Sequence, residues 1–169
     1  FCQDSAGVDL CPGGGGREMK PLPSVYKGYR CRSRLEARWL CFLDTLGMQF
    51  IYEPEGFEFE DGTHYLPDLY FPEIRTWGEV KPFVPDDWSP EIQKIRQLVI
   101  ESQQPAILLD GQPDFRHYWR FCIGDDRRIH RSMVPIDTKG NAIHRLLGMY
   151  SPAYHRAITA SRAIRFDTH

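Results

Sequence analysis

The chain has 169 residues, 41% of them hydrophobic and 26% charged, and carries a formal net charge of −2. That length allows one domain with a real core, and the composition is that of an ordinary water-soluble globular protein. The charge excludes a polybasic chain that coats nucleic acid through its overall field, so an anionic partner has to meet a local patch. No apolar stretch approaches the ~18–20 residues that cross a bilayer, and no signal peptide is visible. The five cysteines (Cys2, Cys11, Cys31, Cys41, Cys122) are an odd number and contain no C-x-x-C pair. This argues against a disulfide framework and against a structural zinc site; the six histidines lack H-x-x-x-H spacing as well. The expectation is reduced thiols, a cytoplasmic protein and no membrane partner.

Residues 1–25 lack periodicity and contain "CPGGGGREMKPLPS", whose four glycines suit a flexible Gly/Pro-rich arm. A phosphate-cradling loop would need G-K-[ST] after its spacer, and Arg17-Glu18 stands there instead. Residues 26–169 are expected to form one domain, with a core over 26–111 and an extension over 112–169. "SRLEARWLCFLDTLG" (Ser33–Gly47) predicts a helix, with Leu35, Trp39, Phe42, Leu43 and Leu46 at helical spacing and Gly47 as its stop. "MQFIYEP", "FEFEDG" and "THYLPDLYF" predict three strands, with Asp61-Gly62 in a hairpin turn. "TWGEVKP" predicts a fourth. Ser89-Pro90 opens a second helix, "PEIQKIRQLVIESQ", as cap and first residue. "PAILLDG" reads as a strand buried on both faces. "HYWRFCIG" and "RIHRSMVPI" predict a hairpin with Asp125-Asp126 in its turn, followed by a short helix near Asn141–Leu147 and a last one opening at Ser151-Pro152. The order implies an α/β fold with a mixed central sheet flanked by helices, and a C-terminal β-hairpin and helices.

One stretch, "YLPDLYFPEIRTWGEVKP", places charges inside apolar runs. Strand side chains alternate, so Glu79 and Lys81 share a face while Val80 points to the other. If the two runs pair as a hairpin, one register sets Asp68 beside Glu79. Two carboxylates within ~4 Å repel by about 4 kcal/mol at an effective dielectric of ~20, so they share a proton or bind a cation. Lys81 offsets part of the repulsion and a divalent ion offsets more. Magnesium takes a few carboxylates together with waters and phosphate oxygens.

"LPD" followed ten residues on by "GEVKP" resembles the PD-(D/E)XK nuclease superfamily, with Pro67-Asp68 matching the first half of its motif and Glu79-Val80-Lys81 the second. The resemblance covers about Tyr26–Gly111 and implies a restriction-endonuclease-like fold: a helix, a three-stranded meander, a helix and a further strand. A helical glutamate joins the site in many members, and Glu36 in "SRLEARW" matches it. Small phage and mobile-element proteins with "RSRLEARW" before the acidic cluster are the most similar kind, and the closing "SRAIRF" is similar to theirs. What the resemblance implies is a metal-dependent nuclease hydrolysing phosphodiester bonds, most naturally in DNA, with Mg2+ (or Mn2+ in its place). Asp68, Glu79 and the Val80 carbonyl would hold the ion. Glu36 would bind the same ion, a second ion or an outer-shell water. Lys81 would position or deprotonate the attacking water, or neutralise the scissile phosphate, and in-line attack would leave a 5′-phosphate. If a phage encodes the chain, its cytoplasm is the host's.

Each of these residues has an ordinary reading too. Asp68 can be a turn residue after proline; Glu79 and Lys81 can be an exposed pair worth under ~1 kcal/mol. Ser33-x-x-Glu36 is a capping box in which the glutamate reaches back to a backbone N–H. His64, four residues before Asp68, reads as a surface or hydrogen-bonding histidine. Basic residues interleave with aromatics in "YKGYRCRSRLEAR": Lys27, Arg30, Arg32, Arg34 and Arg38 would meet a nucleic-acid backbone without reading sequence. Lys94 and Gln97 on the second helix, and "RRIHR" at 127–131, are further candidates. Two other functions fit the same residues: a catalytically inactive nucleic-acid-binding module, and a structural component of a phage or mobile-element assembly docked through its Gly-rich arm. A second copy is the other candidate partner, because a dimer cuts both strands of a duplex; no dimerisation stripe is visible.

Overall fold

The computed structural model describes residues 22–113, 117–135 and 152–166. The chain enters through β1 (Ser24–Tyr26) and β2 (Tyr29–Cys31), a hairpin that begins two residues inside the expected arm. Its two-residue turn, Lys27-Gly28, has φ of 45° and 89°. Both values are positive, as a turn matching the strand twist requires. A lysine there hid the turn from the sequence.

Helix α1 (Arg34–Thr45) starts where Ser33 Oγ accepts the Glu36 N–H at 3.1 Å. It stops at Gly47, whose φ of 73° lets its N–H return to the Asp44 carbonyl at 2.9 Å. Four short strands follow where three were expected: β3 (Ile51–Tyr52), β4 (Phe57–Glu58), β5 (His64–Tyr65) and β6 (Leu69–Phe71). The predicted single strand "THYLPDLYF" is broken at Leu66–Asp68, because Pro67 has no N–H for a ladder. Asp68 therefore lies in a bend and not in a strand. β4 and β5 pair only with each other, closed by the Asp61-Gly62 turn, while β3 and β6 join the main sheet.

A 3-10 turn (Pro72–Ile74) leads into β7 (Thr76–Lys81). Gly78 is needed in β7, since a Cβ there would come within 2.9 Å of the Phe71 ring and 3.0 Å of Leu69. Helix α2 (Pro90–Ser102), capped by Ser89, crosses over to β8 (Ala106–Asp110), which runs parallel to β7. β9 (His117–Ile123) and β10 (Ile129–Pro135) form the expected hairpin, and α3 (Pro152–Ala163) is the last element among the described residues. The helix expected near Asn141–Leu147 lies outside the described residues.

The result is a six-stranded mixed sheet, ordered β10-β9-β8-β7-β6-β3, with helices on both faces. Alternation along β8 divides the core. Ile107 and Leu109 face α1 and α3 together with Val80 and Leu69, whereas Ala106 and Leu108 face α2 together with Trp77, Ile92 and Phe121. Each fully buried Leu, Ile or Phe contributes about 1.5–3 kcal/mol. Among the described residues no helix is long and apolar enough to cross a membrane. Cys31, Cys41 and Cys122 are free thiols, and Cys2 and Cys11 lie outside the described residues.

Candidate functional site

The acidic cluster grows from the β6–β7 register. Leu69 pairs with Gly78 at the start of β6, which brings Asp68, the bend residue just before it, next to Glu79 and Val80. The contact that fixes the first carboxylate is the Val80 N–H, which donates to Asp68 Oδ2 at 2.8 Å. Asp68 is 2% exposed, Glu79 5% and Glu36 8%. Three carboxylates this deep need positive or donor partners, and each has them.

Arg32, the first residue after β2, supplies a cation shared by several of them. Its guanidinium bonds Asp68 Oδ1, lies 2.8 Å from Glu53 Oε1 and 4.0 Å from Glu36 Oε2. Glu36 accepts the Arg32 N–H at 3.0 Å, the Ser33 hydroxyl at 2.8 Å and the Tyr52 hydroxyl at 2.7 Å. The capping box is thus present, but the glutamate reaches the N–H of Arg32 and not that of Ser33. Glu79 accepts the Tyr65 hydroxyl at 2.7 Å on one oxygen and the Lys81 ammonium at 2.7 Å on the other. Lys81 and Glu79 therefore do share a face, while the Val80 side chain is in the core.

Charge states follow from these contacts. Burial first, and then the Glu79 charge, push the Asp68 carboxyl up to about 8, against the pull of the Val80 N–H and Arg32. Burial works to lower Lys81, but Glu79 and Asp68 outweigh it and hold the ammonium above its ordinary value. Burial likewise opposes the Arg32 charge, and Asp68, Glu36 and Glu53 outweigh it. Burial and then Glu79 raise the Tyr65 hydroxyl well above its usual range, keeping it a donor.

Among the described residues no group of three or more His, Cys, Asp or Glu side chains is arranged to hold a metal ion. An all-protein cage is therefore not what the donors fit. Asp68 and Glu79, two buried carboxylates next to each other, do fit an ion that takes two carboxylates and completes its shell with waters and phosphate oxygens. Such an ion would have to compete with Arg32 for Asp68 Oδ1. Glu36 already accepts from the Arg32 N–H and the Ser33 and Tyr52 hydroxyls.

The basic residues expected to meet phosphates have varied surroundings. Lys27 pairs with Asp44 at 2.5 Å. Arg34 and Arg38 lie over the Phe166 ring, at 5.7 and 5.9 Å from its centre. Arg32 points into the carboxylates. Arg30 alone of that segment stays exposed on β2 without a partner among the described residues. Lys94 lies on α2, where with Gln97, Arg127 and Arg128 it lines a surface cavity of about 930 Å3. His64 is exposed on β5, as expected.

Tyr65, Tyr52 and Glu53 were missed. Tyrosines in apolar strand-like runs read as core, and only the fold reveals their hydroxyls. The spacing of Tyr65, three residues before Asp68 across a proline, is the one local signal that could have found it. Compared with protein-family models and with curated proteins, the chain matches none of them.

Proposed function

We infer that the domain is a metal-dependent phosphodiester hydrolase of restriction-endonuclease-like fold, and that its substrate is DNA. The observation that carries this reading is the Asp68 carboxylate held by the Val80 N–H, next to Glu79 at the end of β7, with Lys81 bonded to Glu79. Bound magnesium would lower the pKa of a coordinated water and neutralise charge developing on the phosphate. Asp68 and Glu79 would hold the ion, Tyr65 fixes the orientation of Glu79, and the Val80 N–H fixes that of Asp68. Lys81 is held as an ammonium, which suits neutralising the scissile phosphate better than removing a proton. Arg32, freed from Asp68 when an ion enters, has a phosphate oxygen as its natural next partner.

A second reading has its own support: Arg32, Lys81, Tyr52 and Tyr65 already satisfy the acidic oxygens. A domain that kept the fold and lost the chemistry would look the same. Incubating linear, circular, nicked and branched DNA with Mg2+, Mn2+ or EDTA separates the two. The nuclease reading expects metal-dependent products bearing 5′-phosphates, lost by about 10²–10³-fold or more in Lys81→Ala and Asp68→Ala. Full activity in either purified variant, or EDTA-resistant binding with no products in either metal, overturns it.

A further inference from the structure

The segment between Lys81 and α2, "PFVPDDWS" (residues 82–89), exposes two large aromatic side chains. Phe83 is 71% exposed and Trp88 88%, while Trp39 and Trp77 are 2% and 4%. A surface Trp needs no explanation where a loop is loose, but this loop is fastened. The Asp87 carboxylate is gripped by Arg131 and lies 3.5 Å from Arg96. Its carbonyl accepts the Gln93 amide at 2.8 Å, Ser89 N–H returns to the Asp86 carbonyl at 2.9 Å, and Val84 packs into the α2-side core. Pro82 and Pro85 restrict the backbone further. Two rings are thus held out in water on a fixed frame, beginning two residues beyond the site lysine.

The surface next to Trp88 carries the complementary feature. The cavity outside α2 begins at Pro90 and is lined by Lys94, Arg96, Arg127 and Arg128, against the single acid Asp61. Arg96 shares Asp87 with Arg131; Lys94, Arg127 and Arg128 have no ion-pair partner among the described residues. Its lining includes Thr63, two residues before Tyr65, the partner of Glu79. Fixed aromatic faces beside a cationic groove are the two elements by which proteins hold single strands: bases stack on rings while phosphates follow the charges. Paired bases in a duplex offer no free face to a ring.

We propose that loop 82–89 and the groove outside α2 form a binding surface for a single-stranded segment of DNA, with Phe83 and Trp88 stacking its bases and Lys94, Arg127 and Arg128 meeting its phosphates. This rests on the nuclease reading and names its substrate class: DNA with an unpaired segment adjoining the cleaved bond. Binding is measured in EDTA by anisotropy of a labelled 20-nucleotide single strand, the matching duplex and the matching RNA strand, with tryptophan fluorescence followed in parallel. Wild type is expected to prefer the DNA single strand over the duplex and to lose tryptophan emission as it binds. Trp88→Ala should weaken single-strand binding about tenfold or more, abolish most of the emission change and leave the far-UV spectrum intact. The Lys94→Glu/Arg128→Glu pair should weaken it and flatten its salt dependence. Equal affinity of Trp88→Ala and wild type, a preference for duplex or for RNA, or no binding to any strand overturns the proposal. A protein that binds single strands through Trp88 yet yields no products with either metal would sink the nuclease reading and leave this surface standing.

Discussion

Around α1, Lys27 meets Asp44, Arg32 meets three carboxylates, and Arg34 and Arg38 meet the ring of Phe166. Across the sheet, Lys94, Arg127 and Arg128 line an open cavity with one acid among its walls. The two sets are alike in the sequence: basic residues near aromatic ones. They differ in what the fold brings to them. The first set is largely paired with internal partners and the second, Lys94 with Arg127 and Arg128 of the 127–131 run that the sequence also offers, faces an open cavity. A cation contributes to a surface field only if no neighbour has already neutralised it.

The largest test concerns pH on the α1 side. Asp68 is held near 8 when folded and sits near 3.9 when unfolded. Between those values the unfolded chain has released a proton that the folded one keeps, so rising pH favours unfolding, by at most about 1.4 kcal/mol per pH unit. In EDTA, wild type should therefore lose stability from pH 5 to pH 8, and Asp68→Asn should lose much less; urea midpoints that move together in both proteins would refute the assignment. Next in size, Arg32→Ala leaves Asp68, Glu36 and Glu53 without their shared cation, at a cost of about 1–3 kcal/mol. Adding Mg2+ should then raise the melting temperature of Arg32→Ala more than that of wild type, and an equal response would show that Arg32 does not compete with the ion. Phe166→Ala removes the ring beneath two guanidinium groups, worth about 0.5–1 kcal/mol each, readable by denaturant titration. Smallest is Lys94→Ala on the other side, expected within ~0.5 kcal/mol of wild type. A clear destabilisation there would mean the groove is structural after all.

Much of the architecture was readable because local rules decide it. Ser33 and Ser89-Pro90 mark helix starts by capping chemistry, and "PAILLDG" reads as a two-faced strand from its composition alone. The shared face of Glu79 and Lys81 needs only the strand period. What failed depends on non-local partners or on a single backbone angle. Pro67 has no N–H for a ladder, and so Asp68 stands before β6 and not inside a continuous strand. The Lys27-Gly28 turn hid because lysine rarely takes a positive φ. The roles of Arg32, Tyr52 and Tyr65 are set by residues between 14 and 36 positions away, beyond any window of periodicity.

The ring of Phe166 lies three residues beyond α3 and covers the first two turns of α1, the helix that carries Glu36. The segment after α3 is thereby fastened across α1 like a latch. Clipping the polypeptide after Ala163 would uncover the Arg34 guanidinium and leave Arg38 held by Gln112 Oε1 at 2.7 Å, so the loosening would begin one helical position from Ser33, at the edge of the acidic cluster.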